Sequence, residues 1–350
     1  MAAALVGLAA VSAGVAGCGG ARSETFERSP GQTRDADVAA INAALAADQR
    51  TIAGYVASGP LLARAAQHAD GWFLGQELSH AGMLRSIVSG LGGPAHQPNP
   101  AYRLGHPHTR AQLLRLLGAL ERSQMQATAS AITHVHEGWI RARLAAMLAD
   151  DAQHAAVLAV LAGQPPTADT LPVSDPAAID LADVGAFERL LGRQTVVASV
   201  LVWSLRSGHL DPRARSLVVY LLGQQRTHVR ELERLLAAAG YPQPVHGSLG
   251  RLAVGRVLSA IAVRPPPSAL RQERGWIRLI ADAELGLEGL LYYETISRLT
   301  ARDALLAAAM LAREAQHSAL LSVLRRREPT PETVPAAMVR GWRLSNQPAW

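Results

Sequence analysis

Two four-helix bundles in tandem, all-α and without a sheet, are the architecture this sequence predicts, and three observations predict it. Apolar residues recur every three to four positions through residues 37–164 and again through 179–328, with no convincing alternation of period two. Alanine runs are frequent and aromatic residues make up only 4% of the chain, a composition suited to closely packed helices. A histidine also follows a carboxylate or its amide by three residues at Glu77/His80, Asp151/His154, Gln225/His228 and Glu314/His317. Residues three apart share a helix face, so each pair can offer an oxygen and a nitrogen to one point. With 28 acidic residues and 12 histidines in the chain, chance supplies roughly one acid-to-histidine match at this offset. Three occur, and their order suggests a duplication: Glu121 precedes Asp151 by the same 30 residues that separate Glu284 from Glu314.

The elements follow in order. The first helix is expected over 37–58, with Ile41, Leu45, Asp48, Ile52 and Tyr55 on one stripe, and Gly59-Pro60 stops it. The second aligns Phe73, Glu77, His80, Leu84 and Ile87 and ends at Gly90. Thr109 and Gln112 form a capping box for the third, which aligns Leu113, Leu117, Glu121, Gln124 and Thr128. The fourth starts after Gly138, carries Leu144, Met147, Asp151, His154 and Leu158, and ends at Gly163. Prolines in 165–178 mark a linker.

The series then restarts. One helix carries Leu190, Arg193, Val197 and Val200; the next opens at Asp211-Pro212, a cap followed by a first-turn proline, and carries Leu221, Gln225, His228 and Leu232. A third carries Ile277, Ile280, Glu284, Leu287 and Leu291. The last opens with Thr300 and Asp303, read as another capping box, and carries Met310, Glu314, His317, Leu321 and Leu324. The second copy needs extra loop residues before its third helix, visible as the Gly- and Pro-rich run 247–267; residues 329–350 read as an irregular tail.

The N-terminus is separate. Residues 1–17 form an apolar, small-residue leader too short to span a bilayer stably, ending at Val15-Ala16-Gly17-Cys18-Gly19. This resembles the lipobox of bacterial lipoproteins. The resemblance implies cleavage before Cys18, the sole cysteine, lipidation of that residue, and a flexible tether over 18–36. The partner would then be a membrane, with the chain held on the outer face of the cytoplasmic membrane in the cell envelope. The positively charged start usual for such leaders is missing, and the alternative is a plain apolar leader with an incidental thiol. All 34 basic residues are arginine and the net charge is a modest +6. No basic run interleaved with aromatics points to nucleic acid, and the sequence names no protein partner.

Ligand-type side chains on apolar stripes are the central oddity, because a lone buried carboxylate costs several kcal/mol unless paired or bound to a cation. The first half reads Asp48, then Glu77 with His80, then Glu121, then Asp151 with His154. Four-helix bundles with dinuclear metal sites draw one carboxylate from each of two helices and a carboxylate with a histidine three residues on from each of two others. On these residues the chain resembles the ferritin-like superfamily, over roughly 37 to 325. The resemblance implies two divalent ions, iron or manganese, in the first bundle, with Asp48, Glu77, His80, Glu121, Asp151 and His154 as the metal-ligand set. Four carboxylates and two divalent cations balance in charge. Asp48 and Asp151 depart from the family's usual glutamates.

In the second half Arg193 and Gln225 stand where carboxylates are needed, leaving Glu284 and Glu314 beside His228 and His317. A degenerate site without metal is expected there, with the Arg193 guanidinium lying between Glu284 and Glu314. Tyr55, on the Asp48 stripe, reads as a packing residue or a partner to a ligand. No phosphate loop, nucleophile elbow, paired-cysteine motif or dinucleotide fingerprint is present. Two functional classes remain: a metalloprotein that binds or oxidises through its first bundle, and a metal-free interaction or scaffold protein.

Overall fold

The computed structural model describes residues 30–59, 62, 64–164, 179–241, 268–289 and 295–324. Among these the fold is all-α, with no strand and eight α-helices: α1 (Pro30–Ser58), α2 (Arg64–Gly90), α3 (Arg110–His134), α4 (Gly138–Leu161), α5 (Val184–Arg206), α6 (Pro212–Ala238), α7 (Glu273–Gly289) and α8 (Ala301–Leu324). A 3-10 turn, Ala269–Arg271, leads into α7. The leader, most of the tether, the linker 165–178, the run 247–267 and the tail lie outside the described residues.

Two of the expected helix starts form as their chemistry dictates. Thr109 caps α3 and Gln112 reaches back, closing the capping box, and the Asp211 carboxylate accepts from the Ala214 N–H with proline in the first turn of α6. The first helix begins earlier than expected, at Pro30 rather than Asp37, again with proline at a helix start.

The Thr300/Asp303 capping box does not form. Thr300 N–H donates instead to Asp183 Oδ2 at 3.0 Å, and Asp303 Oδ2 accepts from Asp180 N–H at 2.8 Å, so the starts of α5 and α8 cap one another. The first half has a counterpart, in which Asp37, in the third turn of α1, accepts from the His136 backbone N–H (3.1 Å) and Nδ1 (2.9 Å) in the turn before α4.

In the first bundle α1 packs on α2 and α3, and α3 on α4; in the second α5 packs on α6 and α7, and α7 on α8. The two bundles share one continuous core, because α4 and α8 pack along each other. Both are buried over most of their surface, with Ala145, Ala149 and Ala152 on α4 and Ala304, Ala308, Ala312 and Ala315 on α8 all enclosed. A largely apolar helix is driven inside the protein, and small side chains let two such helices approach closely. Gly138 marks the contact, since a Cβ there would lie 2.0 Å from the Ser297 carbonyl oxygen. Buried Arg141 fastens the same corner by donating to the carbonyls of Val135, His136 and Leu299. Among the described residues α4 is also the helix long and apolar enough to cross a membrane, but 78% of that stretch is buried within the protein.

Candidate metal centre

Each helix of the first bundle turns its ligand-type side chains inward. Asp48 on α1, Glu77 and His80 on α2, Glu121 on α3, and Asp151 and His154 on α4 are all buried, none more than 5% exposed. They gather into two adjoining groups. Asp48, Glu77 and His80 present ligand atoms within 4.8 Å of one another, and so do Glu77, Glu121, Asp151 and His154, so Glu77 belongs to both.

Both histidines point Nδ1 at the clustered ligand carboxylates and Nε2 at an acceptor outside the cluster. His154 Nδ1 lies 3.0 Å from Glu77 Oε1 and 3.2 Å from Glu121 Oε1, while Nε2 bonds Gln76 Oε1 at 2.7 Å and the ring stacks on Phe73. His80 Nδ1 lies 3.7 Å from Glu77 Oε2 and 3.6 Å from Asp151 Oδ1, and Nε2 bonds Asp150 Oδ2 at 3.1 Å. Metal-ligating histidines use this arrangement, one nitrogen on the ion and the other on a fixed acceptor that sets tautomer and ring angle. Tyr55, buried, donates its hydroxyl hydrogen to Glu121 Oε1. Gln124, also buried, donates from Nε2 to Asp48, Glu77 and Asp151. Tyr55 therefore contacts a proposed ligand directly. Gln124, Gln76 and Asp150 are participants the sequence did not reveal as such, although Gln124 lies on the same stripe as Glu121.

Protons and N–H groups balance the crowded carboxylates. Burial and the neighbouring Glu77 charge push Asp48 up to about 10, and burial with the Glu77 charge lifts Asp151 well above the carboxylate range. Glu121 is raised by burial and Glu77 in the same way. Burial would raise Glu77 too, but hydrogen bonds from His154 and His80 hold it well below its usual value. His154 is driven up to about 9, the Glu121 and Glu77 carboxylates outweighing burial. Even so, Asp48 Oδ2, His80 Nδ1, Glu121 Oε2 and Asp151 Oδ2 are buried without a hydrogen-bond partner. With Glu77 Oε1, also orphaned, every one of the four helices carries at least one such ligand atom, a set that fits cations and that few other occupants could satisfy.

The second bundle brings Glu284, Glu314, His317, Gln225 and His228 together, all buried, and Glu284, Glu314 and His317 also lie within 4.8 Å of one another. Its internal bonding differs. Gln225 Nε2 donates to Glu284 Oε2 (3.2 Å) and Glu314 Oε2 (2.6 Å), Gln194 Nε2 donates to Glu314 Oε1 (3.1 Å), and His228 Nδ1 lies 3.0 Å from Glu314 Oε1. Amides of Gln225 and Gln194, rather than the Arg193 guanidinium, thus bond the two carboxylates. Arg193 is only half-buried, and the next residue along α5 turns inward in its place. A periodicity of 3.6 leaves neighbouring positions equally near the stripe, which is why the sequence pointed one residue short.

The surroundings have changed as well. Arg313 takes the place that Asp150 holds before its Asp-x-x-His pair, and burial together with this nearby cation lowers His228, the Glu314 bond notwithstanding. His317 is pushed up to about 10 by Glu314 and Glu284 against burial, while Glu314, held by Glu284 and the two histidines, stays well below its usual value.

Residues 37–164 match the family model described as the ferritin-like domain. No curated protein and no solved structure matches the chain.

Proposed function

The chain belongs to the ferritin-like superfamily through residues 37–164, and from that premise we propose that it is an envelope-anchored metalloprotein whose first bundle holds two divalent ions, iron or manganese. The observation that carries the reading is the convergence of six ligand-type residues from four helices on two groups that share Glu77, with orphaned buried atoms on every helix. Asp48, Glu77 and His80 would hold one ion, and Glu121, Asp151 and His154, with Glu77, the other. Such a pair supplies redox and Lewis-acid chemistry when bound.

The protein's own part is positional. Asp150 and Gln76 fix the two imidazoles so that Nδ1 faces the carboxylates. The Tyr55 hydroxyl holds one Glu121 oxygen and leaves Oε2 turned to the site. The packed core around the ligands excludes water, which strengthens every charge interaction within it. Binding of metal or oxidation at the pair are the activities this arrangement suits. The second bundle, whose carboxylates are met by amides, serves as a metal-free scaffold that completes the shared core. The anchor would be lipid on Cys18, placing the bundles at the outer face of the cytoplasmic membrane.

Elemental analysis of the purified chain after metal-replete expression tests the centre. About two ions per chain are expected, lost in a His80→Ala, His154→Ala double variant. A metal-free wild type would leave the interaction-protein reading in its place. Anchoring is tested separately by Cys18→Ser, which should move the protein from the membrane to the soluble fraction.

A further inference from the structure

Gln124 is absent from the ligand set yet stands at its centre. Its Nε2 lies 2.5 Å from Glu77 Oε2, 3.2 Å from Asp151 Oδ1 and 3.3 Å from Asp48 Oδ1. Two of these oxygens also face His80 Nδ1. The amide nitrogen therefore lies among Asp48 Oδ1 and the Glu77 and Asp151 oxygens that face His80, on the Asp48 side of the pair, although Asp151 is grouped with Glu121 and His154. The nitrogen end of the amide faces these three oxygens, and Oε1 is left buried with no partner. On the other side the group between Glu77 and Glu121 is His154 Nδ1, itself one of the ligand atoms of that position. One position is held by a competitor and the other by one of its own ligands.

We propose that Gln124 makes the two ion positions unequal: its amide nitrogen holds the position bounded by Asp48, Glu77 and His80, so the first ion enters among Glu77, Glu121, Asp151 and His154. The second ion enters only after the amide turns away from three carboxylate contacts. The proposal rests on the metal-binding reading of the first bundle and assigns that bundle a stepwise loading order.

Titration of the full-length, chelator-treated protein with Mn2+, followed by calorimetry and electron paramagnetic resonance, tests it. The wild type should take up one ion first, with the hyperfine-resolved signal of isolated Mn2+, and then a second about tenfold to a hundredfold more weakly, as the signal broadens from coupling. Gln124→Ala should bring the second affinity to within about threefold of the first and remove the isolated-ion stage. Two equal uptake steps in the wild type, or unequal steps that persist in Gln124→Ala, overturn the proposal. The wild-type titration decides the matter alone should the variant fail to fold. Uptake of no Mn2+ by either protein instead overturns the metal-binding reading, and the loading order with it.

Discussion

The two bundles place histidines and carboxylates at matching positions, and each meets part of the cost of burying them with an amide, Gln124 in one and Gln225 in the other. The number of carboxylates to be satisfied differs. In the first, Asp48, Glu77, Glu121 and Asp151 crowd together and leave orphaned atoms on four helices. In the second, two of the four carboxylates are gone, and Gln225 and Gln194 donate to the pair that remains. A buried anionic cluster can be satisfied by a cation from solution or by amides from the chain, and only the first solution leaves the site open to chemistry. The change extends to the flanks, where an acceptor for the histidine, Asp150, is matched by a cation, Arg313.

The largest expected effect comes from making the first site resemble the second. Glu77 is the carboxylate common to both groups, and Gln225 is its counterpart. Glu77→Gln removes one anionic ligand from each position and adds an N–H donor where a cation should sit. Metal content measured by elemental analysis should fall from about two ions per chain to none, a loss of at least about a hundredfold in affinity. A variant that still holds two ions would break the comparison at its root.

The reverse failure should appear in the second bundle as lost stability rather than lost metal. Gln225→Leu strips the donor shared by Glu284 and Glu314, both 0% exposed. Two buried carboxylates left short of a donor should cost about 2–5 kcal/mol in denaturant unfolding. If the loss is under about 0.5 kcal/mol, the amide is not what satisfies the pair.

These two sites also show how far the sequence could be read. The helix stripes put Glu77, Asp151, Glu314 and their histidines on buried faces because spacing of three is geometry. Asp150 was beyond that argument, since it adjoins Asp151 on a neighbouring face and enters only because His80 turns Nε2 toward it. Gln124 was legible as a polar residue on the Glu121 stripe, but an amide among carboxylates looks like filler until distances are known. The largely apolar composition of α4 and α8 already implied that both lie inside a larger core, whereas the linker prolines suggested two separate units. The failed Thr300/Asp303 box has the same lesson: a local pattern lost to an acceptor, Asp183, and a donor, the Asp180 N–H, more than a hundred residues away in sequence.

A smaller effect depends on pH. His317 has its pKa raised from 6.5 to about 10 by Glu314 and Glu284, against the opposing pull of burial. A group bound more tightly to its proton in the folded state stabilises fully below its unfolded pKa and loses that contribution as pH rises through the folded value. The stability difference between wild type and His317→Gln should therefore be constant below pH 6.5 and shrink between pH 6.5 and about 10. The slope within that window is up to about 1.4 kcal/mol per pH unit. Chelator-treated protein unfolded in denaturant and followed by fluorescence of the Trp203/Trp276 edge-to-face pair reports on this bundle. A difference that grows with pH would reverse the assigned charge.

The smallest effect tests what the halves share. Asp37, in the third turn of α1, and Asp183, just before α5, each accept a backbone N–H from the segment leading into the fourth helix of their bundle. The bonds lie away from both carboxylate clusters, so their worth should not depend on metal. Asp37→Ala and Asp183→Ala should each cost about 1–2 kcal/mol, the range for losing a capping carboxylate. Asp37→Ala should be the costlier, because Asp37 also bonds the His136 ring. The double variant should depart from additivity by about 0.5 kcal/mol or more, because both carboxylates also act on the charge of buried Arg141. Equal losses with and without metal would show the helix-pinning carboxylate to be common property of the repeat, kept in both bundles while their centres diverged. A cost in Asp37→Ala that appears only in the loaded protein would instead tie this corner of the first bundle to its metal centre.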